Sequence, residues 1–366
     1  MKMFQKALTT VRFKQFAYGV MALCLSACDV HQFPEQLDEA GGSPDPEDPD
    51  LLVDLDMKLV YITDMYLWEH NYDPKLGTIV EAYPDAAVDE NHPGTTDKFS
   101  GKLDFGFKNV TAKFYVPGSS THQRLEESVS DVADGYDETR RVRLMPGEYD
   151  VVVWTDFTET EEHPRFYNSS DFNSVKIDYP NYAASTDFRD AHRGRTRFTL
   201  DGTGGEIEVE MKRPLAKYEF ITTDLSEFLD NESRRLNRSS RATMDDYKVI
   251  IYYSTYHPSS YNAVDDWNSD SATGVSFETQ VTVTGESEAS LGFDYVFIND
   301  ISTGAVEVTI VVNDLDGNRV AQSQQLHVPL RRDHHTLLRG AFLTMNGSGG
   351  VGIDPGYDGD HNVPLH

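Results

Sequence analysis

Hydrophobic and polar residues alternate along much of the chain after residue 50, a pattern typical of β-strands that bury one face. The first run alternates mostly charged positions with Val53, Leu55, Met57, Leu59 and Tyr61. Further runs predict strands at residues 103–116, 140–157, 175–179, 195–200, 207–211, 215–221, 247–256, 275–283, 293–299, 305–313, 319–328 and 336–345. The pattern therefore predicts an all-β protein.

Two short segments predict hairpin turns between these strands. Pro146-Gly147 joins two apolar runs, where proline presets φ and glycine accepts a positive φ. Asp314-Leu315-Asp316-Gly317-Asn318 joins two later runs with residues that favour tight turns. A calcium loop is the alternative for the second segment, because side-chain oxygens at alternate positions can surround a hard cation. The glutamate that closes such a loop is missing downstream, so a turn is the preferred interpretation.

One helix is predicted, beginning after Asp224. This residue is a suitable N-cap, and Glu227 completes a capping box ahead of an apolar pair. Residues 234–241, rich in arginine and serine, are predicted to form a basic loop. Residues 63–100 and 158–173 are polar and rich in Pro, Asn and Asp, so we expect surface loops there.

The predicted strands divide into two β-sandwich domains in series, at residues 51–212 and 213–346. The length of the chain agrees with two domains of ordinary size. Residues 28–50 combine proline, glycine and acidic residues without enough apolar side chains for a core, which predicts a disordered tether. The glycine-rich tail, 347–366, is predicted to be irregular.

Residues 1–27 have the features of a secretory signal peptide. A short apolar run at 16–25, too short to span a bilayer, follows the basic residues Lys2, Lys6, Arg12 and Lys14. Leu25-Ser26-Ala27-Cys28 then forms a lipobox, which predicts cleavage before Cys28 and diacylation of its thiol. Each buried CH₂ of an acyl chain gains about 0.8 kcal/mol, so several chains hold a protein firmly. An ordinary signal peptide with an incidental cysteine is the alternative.

Charge and cysteine content narrow the class of protein further. The formal charge is −29, and loss of the four signal-peptide cations would leave 28 basic against 61 acidic residues. Such an acidic chain is not expected to bind nucleic acid or to adsorb to anionic lipid through its surface. Cys24 and Cys28 are the only cysteines, so the chain after cleavage would have no disulfide.

The sequence contains no residue pattern typical of a catalytic, cofactor or metal site. Adjacent His334 and His335 would point to opposite faces of a strand, which makes a shared metal ion unfavourable. There is no HExxH motif, no CxxC pair, no phosphate-binding loop and no nucleophile elbow. We therefore predict a non-enzymatic protein that carries no cofactor and no metal.

Three tryptophans are candidates for a sugar-stacking surface. Trp154 lies in an apolar run, so a position in the core is expected. Trp68 and Trp267 lie in polar surroundings and are candidates for exposed platforms.

Four segments in a fixed order resemble the fimbrillin-associated anchor family of Bacteroidetes, which includes the anchor and accessory lipoproteins of the minor and major fimbriae. They are Cys28-Asp29-Val30-His31-Gln32-Phe33-Pro34-Glu35 after the lipobox, Leu144-Met145-Pro146-Gly147-Glu148-Tyr149 running on to Trp154, Met211-Lys212-Arg213-Pro214-Leu215-Ala216-Lys217, and Leu330-Arg331-Arg332-Asp333-His334-His335-Thr336-Leu337-Leu338. The resemblance covers nearly all of the chain after the signal peptide.

The resemblance implies a tandem of transthyretin-like β-sandwiches, attachment to the outer membrane through Cys28, and a role as anchor or accessory subunit of a surface fimbria. Fimbrial subunits would be the partners, joined by strand addition to an open sheet edge. The tail around Gly349 to Pro355 is a poor donor strand because of its glycines and proline, so the chain is expected to accept a strand. Arg234, Arg235, Arg238 and Arg241 offer trypsin-like cleavage sites, but an exposed basic loop is the simpler interpretation.

Two further hypotheses remain open. Asp270-Ser271-Ala272 matches the short motif of O-glycosylation in exported Bacteroidetes proteins, which makes Ser271 a candidate acceptor. The alternative function is a surface glycan-binding lipoprotein associated with nutrient uptake, which would use Trp68 or Trp267.

Overall fold

A computed structural model of the chain describes residues 51–73, 78–81, 98–237, 241–299 and 304–344. The predicted signal peptide, the tether with Cys28, and the tail from residue 347 lie outside the described residues. Residues from Val53 onward belong to one compact unit. Within the described residues, β-strands dominate and one α-helix occurs, so the prediction of an all-β protein is confirmed.

The strands before residue 213 are β1 (Val53–Tyr61), β2 (Asp64–Asp73), β3 (Thr78–Glu81), β4 (Lys98–Ser100), β5 (Phe107–Tyr115), β6 (His122–Asp131), β7 (Glu138–Leu144), β8 (Gly147–Thr158), β9 (Tyr167–Asn168), β10 (Val175–Ile177), β11 (Ala191–Leu200) and β12 (Gly205–Met211).

The later elements are β13 (Leu215–Thr222), the helix α1 (Leu225–Arg235), β14 (Tyr247–Tyr253), β15 (His257–Asn262), β16 (Trp267–Ala272), β17 (Ser276–Thr279), β18 (Thr282–Val283), β19 (Ala289–Phe297), β20 (Gly304–Asp314), β21 (Arg319–Gln322), β22 (Leu326–Leu330) and β23 (His334–Gly340).

The first sandwich packs a three-stranded sheet, ordered β12-β1-β7, against a four-stranded sheet, ordered β11-β8-β5-β6. β1 runs parallel to β12 and antiparallel to β7. Inward residues of both sheets form one buried cluster that includes Leu55, Leu59, Phe114, Val151 and Val209. The alternation that predicted β1 therefore reflects burial of one of its faces.

The second sandwich joins a larger sheet, ordered β18-β19-β13-β23-β2-β3 with β4 also on β2, to a sheet ordered β17-β14-β20-β21 with β22 also on β20. Its core contains Tyr218, Phe220, Ile251, Ile310 and Leu338, and α1 covers part of it. A separate four-stranded sheet, ordered β16-β15-β10-β9, contributes to a third buried cluster around Trp154. Tandem β-sandwiches were predicted, and the sheets agree with them.

The prediction of a surface loop at residues 63–100 is wrong for its described part. β2 lies there, and it pairs in parallel with β23 in the sheet of the second sandwich. β3 and β4 then pair with β2. The chain thus enters the first sandwich with β1, passes at once to the second with β2, and later returns. The domain boundary between residues 212 and 213 stays a prediction. That prediction did not include the passage of β2 into the second sandwich.

The prediction of a hairpin at Pro146-Gly147 is also wrong. β7 ends before the turn and pairs with β1, whereas β8 follows it and pairs with β5 and β11. The turn therefore carries the chain from one sheet of the first sandwich to the other. A Pro-Gly turn can join two strands of one sheet or two strands of facing sheets. Here β7 and β8 lie in facing sheets, and their side chains Val142 and Val151 are buried in the core between those sheets.

The helix was predicted correctly, but its cap was not. Asp224 makes no capping bond to α1. Its carboxylate instead accepts hydrogen bonds from the backbone of Leu343 and Thr344 and from the hydroxyl of Thr222. The basic loop predicted at 234–241 is partly wrong as well, because α1 extends to Arg235.

The turn at Asp314 to Asn318 joins β20 and β21 as a hairpin, as predicted. The Asp314 carboxylate accepts hydrogen bonds from the backbone N–H groups of Asp316 and Asn318, and Gly317 has a φ of +86°. The carboxylate is thus engaged in the turn itself.

Gly101 lies where the chain crosses between the two sandwiches, and its missing side chain makes room for an arginine. A Cβ at this position would lie 2.4 Å from Nη2 of Arg213 and 2.8 Å from the carbonyl oxygen of Thr63. The backbone oxygen cannot yield without moving the crossing.

We expect Gly101→Ala to lower the free energy of unfolding by about 1–3 kcal/mol, because overpacking displaces Arg213. Urea denaturation measures the change. Gly202→Ala is the matched control, since a Cβ there would meet no atom within 4 Å. Equal stability of the two variants would contradict the expectation.

Candidate functional site

The first strand of the described chain, β1, lies in the middle of its sheet. Seven residues of β1, Leu55 to Tyr61, pair with β12, and seven, Val53 to Leu59, pair with β7. Residues 28–50, the predicted tether, connect to β1 through a few residues of sequence. Any force or attachment that acts through the tether therefore reaches a strand that is bonded along both edges.

The outer face of β1 carries ion pairs to both neighbouring strands. Arg141 of β7 holds the Asp56 carboxylate at 2.8 and 3.0 Å, and Lys58 lies 2.9 Å from Glu208 of β12. The Arg141 guanidinium lowers the pKa of Asp56 by hydrogen bonding to it. Because these side chains are solvent-exposed, the pairs mainly favour the register, and the buried side chains opposite supply the stability.

The chain crosses between the sandwiches three times at the same end of β1, and one arginine contacts all three crossings. Arg213, fully buried, lies between β12 and β13. Its Nη1 contacts the carbonyl oxygens of Ile62 and Asp64 at 3.5 and 3.4 Å, and its Nη2 donates to the carbonyl of Gly101 at 3.2 Å. The first crossing, β1 to β2, and the return crossing, β4 to β5, are thus both tied to the third, β12 to β13.

A buried carboxylate compensates the charge of this arginine. Nε of Arg213 donates to both oxygens of Asp190, at 2.8 and 3.0 Å. Burial raises the pKa of Asp190 to about 6, against the opposing effect of the Arg213 guanidinium. Asp190 is therefore ionised at neutral pH and forms a buried ion pair with Arg213.

Residues 187–190, just before β11, bind the second sandwich through two further charged groups. Arg189 donates to Asp294 at 2.8 Å, and both side chains are buried. Asp187 accepts from Lys217 at 2.8 Å and from the hydroxyl of Tyr295 at 2.7 Å. Three charged side chains of this segment, those of Asp187, Arg189 and Asp190, thus reach across to partners beyond residue 212.

Tyrosine hydroxyls surround the buried carboxylate of Asp294. Tyr253 donates to it at 2.7 Å, Tyr182 also donates to it, and Tyr218 donates to the oxygen of Tyr253 at 2.9 Å. Burial raises the pKa of each of these tyrosines. The network supplies hydrogen-bond donors to the buried Asp294 carboxylate, which is typical of a structural role.

One edge of the first sandwich is open in the described residues. β6 pairs with β5 along one side, and none of its ten residues is buried. Leu125 and Val129, which lie on the same face, are 41% and 47% exposed. β6 pairs continuously with β5 from Arg124 to Asp131, after a register irregularity near its start. β11, the opposite edge of the same sheet, is equally long but is bridged to the end of β12 through Arg193 and Lys212. Within the described residues, β6 is thus an open edge of eight continuously paired residues.

The three candidate tryptophans occupy different surroundings. Trp154 is fully buried, as predicted, and donates to Asp156 at 3.0 Å. Trp68 is partly buried and packs edge-on against His70 and His334. Trp267, at the start of β16, is 54% exposed. The structure therefore brings Trp68 and Trp267 into no shared platform.

Ser271 lies exposed on β16, the edge strand of its sheet, and its N–H bonds to the carboxylate of Asp270. His334 and His335 begin β23 and have different partners: His334 bonds to the carbonyl of Arg332, whereas His335 lies 3.0 Å from Glu219. Among the described residues, no group of three or more His, Cys, Asp or Glu side chains is placed to hold a metal ion.

A shallow cleft of about 310 Å³ lies on the first sandwich beside Arg195 and Arg197, which share the Asp150 carboxylate. No helix within the described ranges is both long and apolar enough to cross a membrane.

Sequence reasoning missed the two features that organise this region. The Arg213–Asp190 pair joins residues 23 positions apart. Arg213 lies in one of the segments that carry the family resemblance, but nothing in that segment indicates Asp190 as its partner. The strand β6 is exposed on both faces, so it lacks the alternation that revealed β1.

The fold and the arrangement of β1 define a tandem β-sandwich protein with a two-sided first strand. A family profile described as a family of unknown function (DUF6562) matches residues 111–366, so the chain belongs to that family. Among curated proteins, no sequence matches the chain.

Several solved structures share part of the fold. The fimbrial anchor protein Mfa2 from Porphyromonas gingivalis is 12% identical with a TM-score of 0.36, covering 74% of this chain and 82% of that one. A proposed cell adhesion protein from Bacteroides eggerthii is 11% identical with a TM-score of 0.38, covering 81% and 89%. A proposed polysaccharide-binding protein from Bacteroides thetaiotaomicron is 10% identical with a TM-score of 0.38, covering 74% and 79%.

Buried histidine at the centre of the molecule makes the fold sensitive to acid. His257 is fully buried, forms a hydrogen bond of 3.0 Å through its Nδ1 with the hydroxyl of Tyr179, and packs on the ring of Tyr253. Burial, together with the nearby Arg189 charge, lowers its pKa to about 3. Since an unfolded histidine titrates near 6.5, the unfolded state binds more protons between these values, and stability falls as the pH drops from about 6.5 towards 3.

We expect His257→Gln to flatten the loss of stability between pH 6.5 and pH 4.5, because the group that must take up a proton is gone. Urea denaturation at pH 7.0, 5.5 and 4.5 measures it. His122→Gln, at an exposed position on β6, should keep the wild-type slope. A slope unchanged by His257→Gln would show that other groups set the acid sensitivity.

Proposed function

We propose that this protein is a non-enzymatic lipoprotein of the outer membrane that serves as an anchor or accessory subunit of a surface fimbria. The observation that carries the proposal is the position of β1. The chain that follows the predicted lipid-bearing Cys28 and its tether leads into a strand held along both edges, which suits a protein whose task is to hold something at the surface.

The features of the molecule agree with a binding role. The charged residues of the interior, such as Arg213, Arg189 and Asp294, are paired and buried, so they stabilise the fold and are not accessible to a substrate. The conspicuous surface feature is an open sheet edge, which binds through main-chain groups. Fimbrial subunits are the proposed partners, in line with the sequence resemblance.

Lipid on Cys28 is the proposed attachment to the membrane. Cys28→Ala should move the protein from the outer-membrane fraction to the soluble fraction, because without acyl chains the acidic surface has no affinity for the membrane. Deleting the gene should lengthen, shed or abolish fimbriae, as seen by electron microscopy. Membrane retention of Cys28→Ala would contradict lipid attachment, and fimbriae of normal length and attachment in the deletion strain would contradict the anchor role.

The strand β6 is the proposed acceptor of a neighbouring subunit. In an edge strand, alternate N–H groups point to the neighbouring strand and to solvent. We therefore compare Ser128→Pro with Val129→Pro. One of them removes an N–H that points away from β5 and leaves the pairing with β5 intact, whereas the other removes an N–H that bonds to β5 and destabilises the fold. Thermal unfolding shows which of the two variants stays folded.

We expect the folded proline variant to release fimbriae into the medium, because an added strand loses a main-chain donor and meets the proline ring. Ser128→Ala and Val129→Thr are the matched controls, which keep the N–H and should retain fimbriae. Normal retention by the folded proline variant would exclude β6 as the acceptor edge.

Ser271 is the proposed O-glycosylation site, because it combines the sequence motif with an exposed position on an edge strand. The mass of the peptide that contains Ser271, taken from native cells, tests it: we expect a glycan-sized increase that Ser271→Ala abolishes. An unmodified peptide would end this proposal.

Glycan binding remains the second candidate, favoured only by the exposure of Trp267. The packing of Trp68 against two histidines removes one half of the platform that this function would use. The gene deletion separates the two functions, because a glycan-binding lipoprotein would leave fimbriae unchanged.

A further inference from the structure

We propose that β1 and β2 act as two mechanical clamps in series, which carry tension from the N-terminal tether into the body of the protein. This inference rests on the proposed surface attachment for its biological meaning, but its physical content concerns the folded chain alone. It assigns to β1 and β2 the function of transmitting force, in addition to their structural role in the two sheets.

The first argument is the pairing of β1. Tension that enters at Val53 pulls β1 along its own axis. Because β1 pairs over seven positions with β12 and over seven with β7, such tension loads both ladders at once and cannot open them one pair at a time. A strand at a sheet edge would face one ladder only.

The second argument is the direction of the load. β1 ends at Tyr61, and its parallel neighbour β12 ends at Met211 beside it. Both chains leave for the second sandwich from this end, through β2 and β13. The second sandwich therefore lies beyond the end of β1 opposite to Val53, and tension between the tether and the second sandwich runs along β1.

The side chains of β1 oppose sliding. Leu55, Met57, Leu59 and Tyr61 are buried in the first core, and the intervening residues face outward. Moving β1 by one residue would expose all four and bury charged residues in their place. The strand must therefore leave its site in one step, which gives a high barrier, and forced unfolding is governed by such a barrier.

The second clamp follows almost immediately. β2 begins three residues after β1 ends, and it pairs in parallel with β23 over six positions, Tyr66 to Asn71. Between the clamps, Arg213 binds the carbonyl oxygens of Ile62 and Asp64. Tension that passed β1 would next reach the arginine and then a second strand loaded along its axis.

Single-molecule pulling with two alternative disulfide locks tests the proposal. The chain from residue 28 to 366 carries azide-bearing amino acids at position 28, which replaces the cysteine, and at Leu315, an exposed residue of the second sandwich. The first lock is Asp56→Cys with Arg141→Cys, which are opposite each other in β1 and β7. The second lock, Lys248→Cys with Asn313→Cys, joins β14 to β20 close to the other handle.

Opposite residues of antiparallel strands have Cα atoms about 4.5–5.5 Å apart, which suits a disulfide. The length of the unfolded chain shows independently whether the first lock has formed. A disulfide between residues 56 and 141 keeps the 85 residue steps between them from being stretched, which shortens the fully stretched chain by roughly 280–310 Å. Each reduced protein is its own control.

If β1 is the clamp, oxidation of the first lock shifts the first force peak to higher force, and oxidation of the second lock leaves that peak unchanged. A first peak that responds to the second lock, or to neither lock, overturns the proposal. The result is independent of the proposed function, since the clamp can be present in a chain whose deletion leaves fimbriae intact, and the anchor role can hold for a chain whose first peak arises elsewhere.

Discussion

The buried ion pair between Arg213 and Asp190 is the contact on which the arrangement of this molecule depends. Arg213 lies at the third crossing between the sandwiches. It binds the carbonyl groups of Ile62 and Asp64 at the first crossing and of Gly101 at the second, while Asp190 neutralises it. Removing one partner of such a pair typically costs about 3–5 kcal/mol, because the other charge remains buried alone. Gly101 admits the guanidinium, so a residue without a side chain is required on the facing segment. The same end of β1 therefore carries all three crossings and the charges that hold them. A pair of apolar residues could fill this space with similar stability, but it could not bind the carbonyl groups of Ile62, Asp64 and Gly101. We infer that the pair contributes orientation more than stability.

The position of this pair connects the proposed attachment to the rest of the protein. The tether leads into β1, β1 leads past Arg213 into β2, and β2 lies beside β23 in the second sandwich. Asp187 and Arg189, neighbours of Asp190 in sequence, add two further charged contacts to the second sandwich. A force or a displacement at the tether is thus transmitted through strands and paired charges, with no long connecting loop in between. The strand β6, which is the proposed acceptor edge, lies in the sheet of the first sandwich that does not contain β1.

The parts of the fold that were predictable from the sequence are those where one buried face produces a regular pattern. β1 and β20 have this pattern, and the sequence located them. The sequence also located β13, although nearly all of its residues are buried. β2 was missed because Asn, Asp and Tyr fill its positions and suggest a loop. β6 was missed because none of its residues is buried, so burial imposes no alternation of apolar and polar residues.

Pro146-Gly147 and Asp224 show a different limit. A hairpin turn and a helix cap were chemically reasonable from the local sequence, but partners distant in sequence decide where each segment bonds. The Arg213–Asp190 pair had no signal at all, since its value depends on carbonyl groups that approach only in the folded chain. For the candidate site, the lipobox predicts Cys28 and the composition predicts the tether, and both stay predictions; neither signal could indicate which strand edge remains open.

The central claim is that the Arg213–Asp190 pair fixes the orientation of the two sandwiches. The most direct measurement is the distance distribution between spin labels at Glu208 in the first sandwich and Leu315 in the second, both exposed, in a chain with Cys28→Ser. The native pair should give one narrow distribution. The double variant Arg213→Met with Asp190→Leu, which removes both charges together, should stay folded by circular dichroism and give a clearly broader one. A distribution as narrow as that of the native pair, in the folded double variant, would contradict the claim.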